Sequence, residues 1–283
     1  MGSLCDLHNH SIYSDGTFAP RQLLAEADRI GLASIALTDH NSVAGLPEFL
    51  AAAGDYHVEA IPGIEFSTEW QDIELHVLAL FVAPSHFGDI TEKMTRFRMD
   101  KEQSNLDLIA ALNQAGYPID YEVIKASTGG YINRAHIAAE LTRLGITPSI
   151  QEAFKTLLSD ANGYYHPPKR MSPFESIEYI RSIGAVSVLA HPCLNLKEDQ
   201  LRQFLSQAAP AGLDAMEVRY GRYSPVATKL SEDLVVEFGL LPSGGSDFHG
   251  SNKPDISMGR GLGNLEIPNS WMEALKARSH PAE

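Results

Sequence analysis

Short apolar runs alternating with amphipathic stretches organise most of this chain. Residues 4–10 read as a first strand, and 20–30 as a helix opened by Pro20, whose fixed φ suits a first helical turn. Residues 33–38 (ASIALT) predict the next strand and 46–53 the next helix. Two more apolar runs, 59–66 and 74–81, predict strands joined by a short polar connection. This alternation is the pattern of a parallel β/α fold.

The rhythm changes near residue 89. From there to residue 158 only helical signals occur, over 89–115, 118–126, 131–144 and 149–158, punctuated by Gly116, Gly129, Gly130, Gly145 and Pro148. That is too long for one crossover, so residues 89–164 are expected to form a helical insertion capping the active site. After Pro167 and Pro168 the alternation returns, with helices over 173–182, 197–207 and 225–238 and strands over 185–189, 215–218 and 241–245. About seven strands result. The expected fold is α/β, a distorted seven-stranded β/α barrel made of residues 1–88 and 165–283.

The 283 residues and 44% apolar content suit one sizeable core. No apolar run approaches the roughly 20 residues of a membrane-spanning helix, and no signal-type stretch follows Met1. Two cysteines, Cys5 and Cys193, cannot build a disulfide framework, so a cytoplasmic setting is expected. The net charge of −14 repels a long polyanion and argues against long duplex nucleic acid. A small phosphorylated ligand or the end of a short strand stays compatible with it. Nothing points to a membrane or a protein partner.

Histidine placement changes the picture. Six of the eleven histidines, His8, His10, His40, His76, His191 and His249, fall at or just beyond predicted strand C-termini, where a barrel builds its active site. His8-x-His10 and Asp247-x-His249 each put two side chains on one face. Thr38-Asp39-His40 alone reads equally as a turn with a helix cap. His76 alone reads as a satisfied core histidine. Glu65 ends an apolar strand, where a carboxylate is costly unless paired or on a metal. Oxygen and imidazole donors without thiolate suit Mn²⁺, Fe²⁺ or Zn²⁺.

The segments DLHNHSIYSDGT, LASIALTDHNSVAGL, IPGIEFS, ELHVLAL, VSVLAHP and GGSDFHG resemble, in order and spacing, the PHP (polymerase and histidinol phosphatase) family of the amidohydrolase superfamily. Ser14-Asp15-Gly16 is similar to the stand-alone bacterial phosphoesterases that act on 3′,5′-nucleotide bisphosphates or trim short RNA from its 5′ end. Trinuclear histidinol phosphatases tend to carry histidine at the place of Asp15. The resemblance implies two to three divalent ions, Mn²⁺ before Fe²⁺ or Zn²⁺. The first would sit on His8, His10, Glu65 and Asp247, a second on Glu65, His76 and His191, a third on Asp15, His40 and His249. Asp39 would orient a ligand. Glu65, Asp247 and His249 would carry the chemistry, a metal-bridging hydroxide attacking phosphorus in line. No side chain stands out as general acid.

The resemblance also implies that Arg134 and His136 of the insertion grip a second phosphate, with a helix N-terminus behind them. Lys169, Arg219 and Arg222 are further substrate candidates, and Tyr220 and Tyr223 either stack on a base or pack. Three alternatives stay open: a phosphatase of another small monoester such as histidinol phosphate, a non-catalytic PHP interaction module, and an amide or lactone hydrolase. Filled ligand positions favour an enzyme over a module. Glu65, where many amide and lactone hydrolases use a carboxylated lysine, favours phosphate esters.

Overall fold

The computed structural model describes residues 3–127, 132–159, 163–168 and 170–280. The chain divides into two compact units, residues 1–91 with 171–283, and residues 92–170.

The first unit holds a seven-stranded sheet in the order β1 (Cys5–Asp6), β2 (Ser34–Leu37), β3 (Glu59–Trp70), β4 (Ile73–Leu80), β5 (Val186–Ala190), β6 (Ala215–Tyr220) and β7 (Leu241–Gly245). The two outer strands nearly meet. Just past β1, Leu7 N–H donates to Gly244 O at 3.2 Å, Asp247 N–H to His8 O at 3.0 Å, and His10 N–H to Phe248 O at 3.0 Å. The sheet therefore curls into a nearly closed barrel, the expected architecture.

Helices α1 (Pro20–Arg29) and α2 (Leu46–Ala52) connect the first three strands. Helix α3 (Phe87–Gln114) leads into the second unit, which adds α4 (Tyr121–Ser127), α5 (Arg134–Arg143) and α6 (Ile150–Lys155) around a core including Leu108, Leu112, Ile137 and Leu141. The described residues of this unit contain no strand. Helices α7 (Pro173–Ser182), α8 (Glu198–Ala211) and α9 (Pro225–Glu237) alternate with the later strands, and α10 (Asn269–Lys276) follows β7. The sequence reading did not anticipate α10. It packs Met272 and Leu275 against Cys5, Ala36, Ile61, Val186 and Val188 in the barrel core.

Local chemistry explains the sharpest boundaries. Pro173 opens α7, the Ser172 hydroxyl accepts from Glu175 N–H, and the Glu175 carboxylate accepts from Ser172 N–H.

One strand departs from the parallel expectation: β4 runs antiparallel to both β3 and β5. Its connection to β3 is only Gln71-Asp72, both at positive φ as a two-residue type I′ hairpin requires. Two residues can only reverse the chain, since a parallel return needs a crossover of about a dozen or more. Pairing also carries β3 on to Trp70, beyond its expected end at residue 66. Glu65 and His76 thus stand inside strands rather than at strand ends. No helix of the described residues is long and apolar enough to cross a membrane.

Candidate metal centre

The site grows from the exit of β1. His8 and His10 are both fully buried, and the residue between them anchors the turn: Asn9 Nδ2 donates to Asp6 O and Ala36 O, each at 3.2 Å. Asp6, buried beside the seam, accepts from Ser246 N–H (2.9 Å), Ser246 Oγ (2.5 Å), Gly259 N–H (2.7 Å) and His8 N–H (3.3 Å). Burial still pushes its carboxyl above the ordinary range. Asp39 accepts from Ser11 N–H and Oγ and from Ser14 Oγ, fixing the loop after His10.

Glu65 is the centre of the cluster. Its Oε2 lies 3.1 Å from His8 Nε2, 3.2 Å from His10 Nε2 and 3.0 Å from His40 Nδ1. Its Oε1 lies 2.8 Å from His76 Nδ1 and 3.1 Å from His191 Nε2. Five imidazoles therefore face one buried carboxylate. Asp247 turns Oδ1 toward His10 Nε2 (3.3 Å), His249 Nδ1 (3.3 Å) and His8 Nε2 (3.8 Å). Asp15 places Oδ1 3.2 Å from His249 Nε2 and 3.7 Å from His10 Nδ1, and Oδ2 3.9 Å from His40 Nε2. Asp247 and His191 both sit at positive φ, a strained backbone that the surrounding structure must hold.

This donor set fits metal ions. His10 Nε2, His40 Nδ1 and His249 Nε2 are buried without a hydrogen-bond partner, although each lies near 3 Å from a carboxylate oxygen. A buried polar atom left so is costly unless something else satisfies it. Among the described residues, donors converge in four groups within metal-ligand reach: His10, Asp15, His40 and His249; His8, Glu65 and His191; His8, His10 and Asp247; and His40, Glu65 and His76. All nine expected ligands fall in at least one group.

Electrostatics in the ion-free protein point the same way. Burial alone would depress the His8, His40 and His76 pKa values, yet Glu65 outweighs it for all three, aided by Glu217 at His8 and by Glu74 at His76. His76 is pushed up to about 10. Burial would raise Glu65, but His8, His40 and His76 hold it well below the usual carboxylate range. Asp247 and Asp15 likewise lie below that range despite burial, through His8 and His10 in the first case and His249, His40 and His10 in the second. His8, His40 and His76 thus hold protons more tightly than free imidazoles do, because Glu65 favours positive charge beside it.

Two residues at the site, Glu217 and Lys253, escaped the sequence reading, and Tyr220 has a role it did not foresee. Glu217 on β6 is fully buried; Oε1 lies 3.0 Å from His8 Nδ1 and Oε2 accepts from His191 N–H at 2.7 Å. Its other contact orients the imidazole that faces Glu65, the arrangement that fixes a metal-ligand histidine. A glutamate inside the apolar run AMEVRY carried the same signal as Glu65. Tyr220, expected on a base or in packing, is buried against Tyr223 and also donates its hydroxyl to Asp247 Oδ2 at 2.7 Å. Lys253 Nζ reaches the same oxygen at 2.6 Å.

The basic candidates fare differently. A β-bulge between Glu217 and Arg219 sets two steps of β6 against one of β7. Strand periodicity would put Glu217 and Arg219 on one face; the bulge sends Glu217 and Tyr220 to the cluster instead. Arg219 bonds to Glu266 O, stacks over Trp271 at 4.9 Å and approaches Glu232 at 3.8 Å, a structural engagement rather than the expected substrate contact. Arg222 pairs with Asp255 at 2.7 Å on the surface. Tyr223 is buried and its hydroxyl accepts from Cys193 N–H, so it packs. In the helical unit, Arg134 lies over Tyr165 at 4.1 Å, and His136 completes a capping box with Asn133 at the start of α5. Lys169 lies outside the described residues.

Comparison with known proteins agrees with this geometry. The PHP domain model matches residues 6–164. The 5′-3′ exoribonuclease Rnm of Escherichia coli is 32% identical over 91% of this chain and 88% of its own length. The 3′,5′-nucleoside bisphosphate phosphatase of Chromobacterium violaceum is 26% identical over 92% of this chain and 91% of its own. A solved amidohydrolase from the same organism, with bound sulfate and no metal, matches with a TM-score of 0.68 and 25% identity over 99% of both chains. The family match, the near full-length relatives and the buried His/Asp/Glu cluster together place this chain in the PHP domain family, as a metal-dependent phosphoesterase.

Proposed function

We propose that this protein hydrolyses a phosphate ester of a small nucleotide-type substrate, a 3′,5′-nucleotide bisphosphate or the 5′ end of a short RNA. The observation that carries the reading is Glu65, whose two oxygens face separate imidazole sets, His8, His10 and His40 on one side and His76 and His191 on the other. The activities of those two relatives suggest the substrate class.

His8, His10, Glu65 and Asp247 would hold one ion, Glu65, His76 and His191 a second, and Asp15, His40 and His249 a third, with Mn²⁺ the first candidate. When bound, such ions acidify water and neutralise phosphoryl charge. Glu65 draws the two imidazole sets together and would hold ions between them, Asp247 and His249 would contribute further donors, and Glu217 fixes the His8 ring. The test is phosphate release from a panel of phosphomonoesters, nucleotide bisphosphates and short 5′-phosphorylated oligonucleotides with Mn²⁺. Release from the latter two classes, abolished by chelator, is the expected result. Turnover of histidinol phosphate or simple monoesters alone would overturn the substrate assignment, and no phosphate release at all would overturn the function.

Ion loading should also be linked to protons. A histidine whose folded pKa is raised holds its proton between the unfolded value, roughly 6.5, and the folded one, about 10 for His76. Its stabilising contribution to the ion-free protein is complete below that unfolded value and lost as pH rises through the folded one. Ions must displace this proton, so Mn²⁺ loading near neutral pH should release protons and tighten as pH rises. Calorimetry in buffers of different ionisation enthalpy reads the count, and zero proton release near pH 7.5 would contradict it.

A further inference from the structure

We propose that Lys253 is a catalytic residue that donates to a non-bridging oxygen of the phosphoryl group under attack, an inference that rests on the phosphoesterase reading above. Asp247 divides its carboxylate between two environments. Oδ1 faces His8, His10 and His249, the side on which an ion would sit. Oδ2 accepts from Tyr220 Oη at 2.7 Å and Lys253 Nζ at 2.6 Å. The ammonium is therefore held one carboxylate away from the ion site, close to where a phosphoryl group bound by those ions would present its oxygens.

The segment carrying Lys253 is fastened to the loop that follows β1. Ser251 N–H donates to Thr17 Oγ1 at 3.0 Å, and Asn252 Nδ2 to Asp15 O at 2.8 Å. Lys253 N–H donates to Gly250 O, and Ile256 N–H to Lys253 O, with Ile256 buried. Gly250, at φ +63, packs so tightly on Thr17 that an added Cβ would lie 2.0 Å from Oγ1. Lys253 thus sits on a turn tied down by hydrogen bonds on both sides.

An ammonium has three N–H donors, and Asp247 takes one. The side chain is 30% exposed, which leaves room for an incoming oxygen. Arg219 and Arg222, the cations expected at this face, are held by Trp271, Glu232 and Asp255 instead. Phosphoryl transfer gathers charge on the non-bridging oxygens, and a preorganised donor aimed at them is a large source of rate enhancement. Lys253 makes and breaks no covalent bond and keeps its proton throughout.

The experiment compares wild type, Lys253→Met and Lys253→Arg, each loaded with Mn²⁺, on a nucleotide bisphosphate. Lys253→Met should lower kcat by about 10²-fold, the scale for one such donor, with ion content unchanged at wild-type stoichiometry. Lys253→Arg should recover about tenfold of that loss. Inorganic phosphate, titrated calorimetrically into the loaded protein, should bind about tenfold more weakly to Lys253→Met. Unchanged kcat and phosphate affinity would overturn the proposal, as would a kcat loss matched by loss of bound ion, which would make Lys253 only a support for Asp247. If wild type released no phosphate from any ester, the functional reading would fall while the phosphate titration still judged Lys253.

Discussion

Replacing Glu65 with Gln should lower kcat by about 10³-fold or more at saturating Mn²⁺. Gln keeps the volume of a fully buried side chain, so packing around β3 is preserved. What disappears is the negative charge that five imidazoles share. An amide also has only one acceptor oxygen, so one of the two imidazole sets would face an N–H donor instead. Bound ion should fall below two per chain by elemental analysis. In the ion-free protein the His76 pKa should drop from about 10 toward its ordinary value, because Glu65 is the leading influence that raises it. Near-normal turnover by Glu65→Gln would refute a multinuclear centre organised on this residue.

A second large effect is expected at a position with no chemistry. A Cβ on Gly245 would lie 2.1 Å from His8 Cβ and 2.8 Å from His8 N, distances no real side chain tolerates. The neighbours are Cβ, N and Cα of His8, held across the seam by the Leu7 to Gly244 and Asp247 to His8 bonds, so they cannot rotate away. Gly245→Ala should cost about 3 kcal/mol, at the upper end for overpacking. For a chain of 283 residues that lowers Tm by roughly 5 °C. It should also displace His8 and weaken ion binding. Gly54→Ala is the control, since nothing lies within 4 Å of a Cβ there. Equal Tm values for the two variants would mean that the seam yields more easily than its geometry implies.

The parts of the fold visible in the sequence were those written locally. The helix over 173–182 matched because Ser172, Pro173 and Glu175 form a complete start signal, and the strand over 241–245 matched because two glycines end it. Histidines and carboxylates near predicted strand ends left a trace along the chain, whereas Asp15 entered only through the family resemblance, and Glu65 and His76 lie inside strands. What stayed hidden depended on distant partners. Gln71-Asp72 carries no glycine, so the sharp reversal before β4 left no signature. The bulge that separates Glu217 from Arg219 exists only against β7, and it takes Arg219 off the face that Glu217 presents to the cluster. Lys253 looks like any exposed loop lysine until Asp247 is placed beside it.

The near meeting of β1 and β7 has a consequence for how the molecule assembles. Glu65 and His76 are eleven residues apart on one hairpin and can approach each other as soon as that hairpin closes. His8, His10, Asp247 and His249 come from opposite ends of the chain, more than 230 residues apart, and meet only when those ends do. Closing so long a loop carries an entropic cost that local pairing does not, and contacts of high sequence separation slow folding. Two of the nine candidate ligands are thus available early, and the contacts between the chain ends arrive last. Divalent ions added during refolding should find a partial site on the hairpin first, and full loading should coincide with closure of the barrel, making ion uptake a clock for the final folding step.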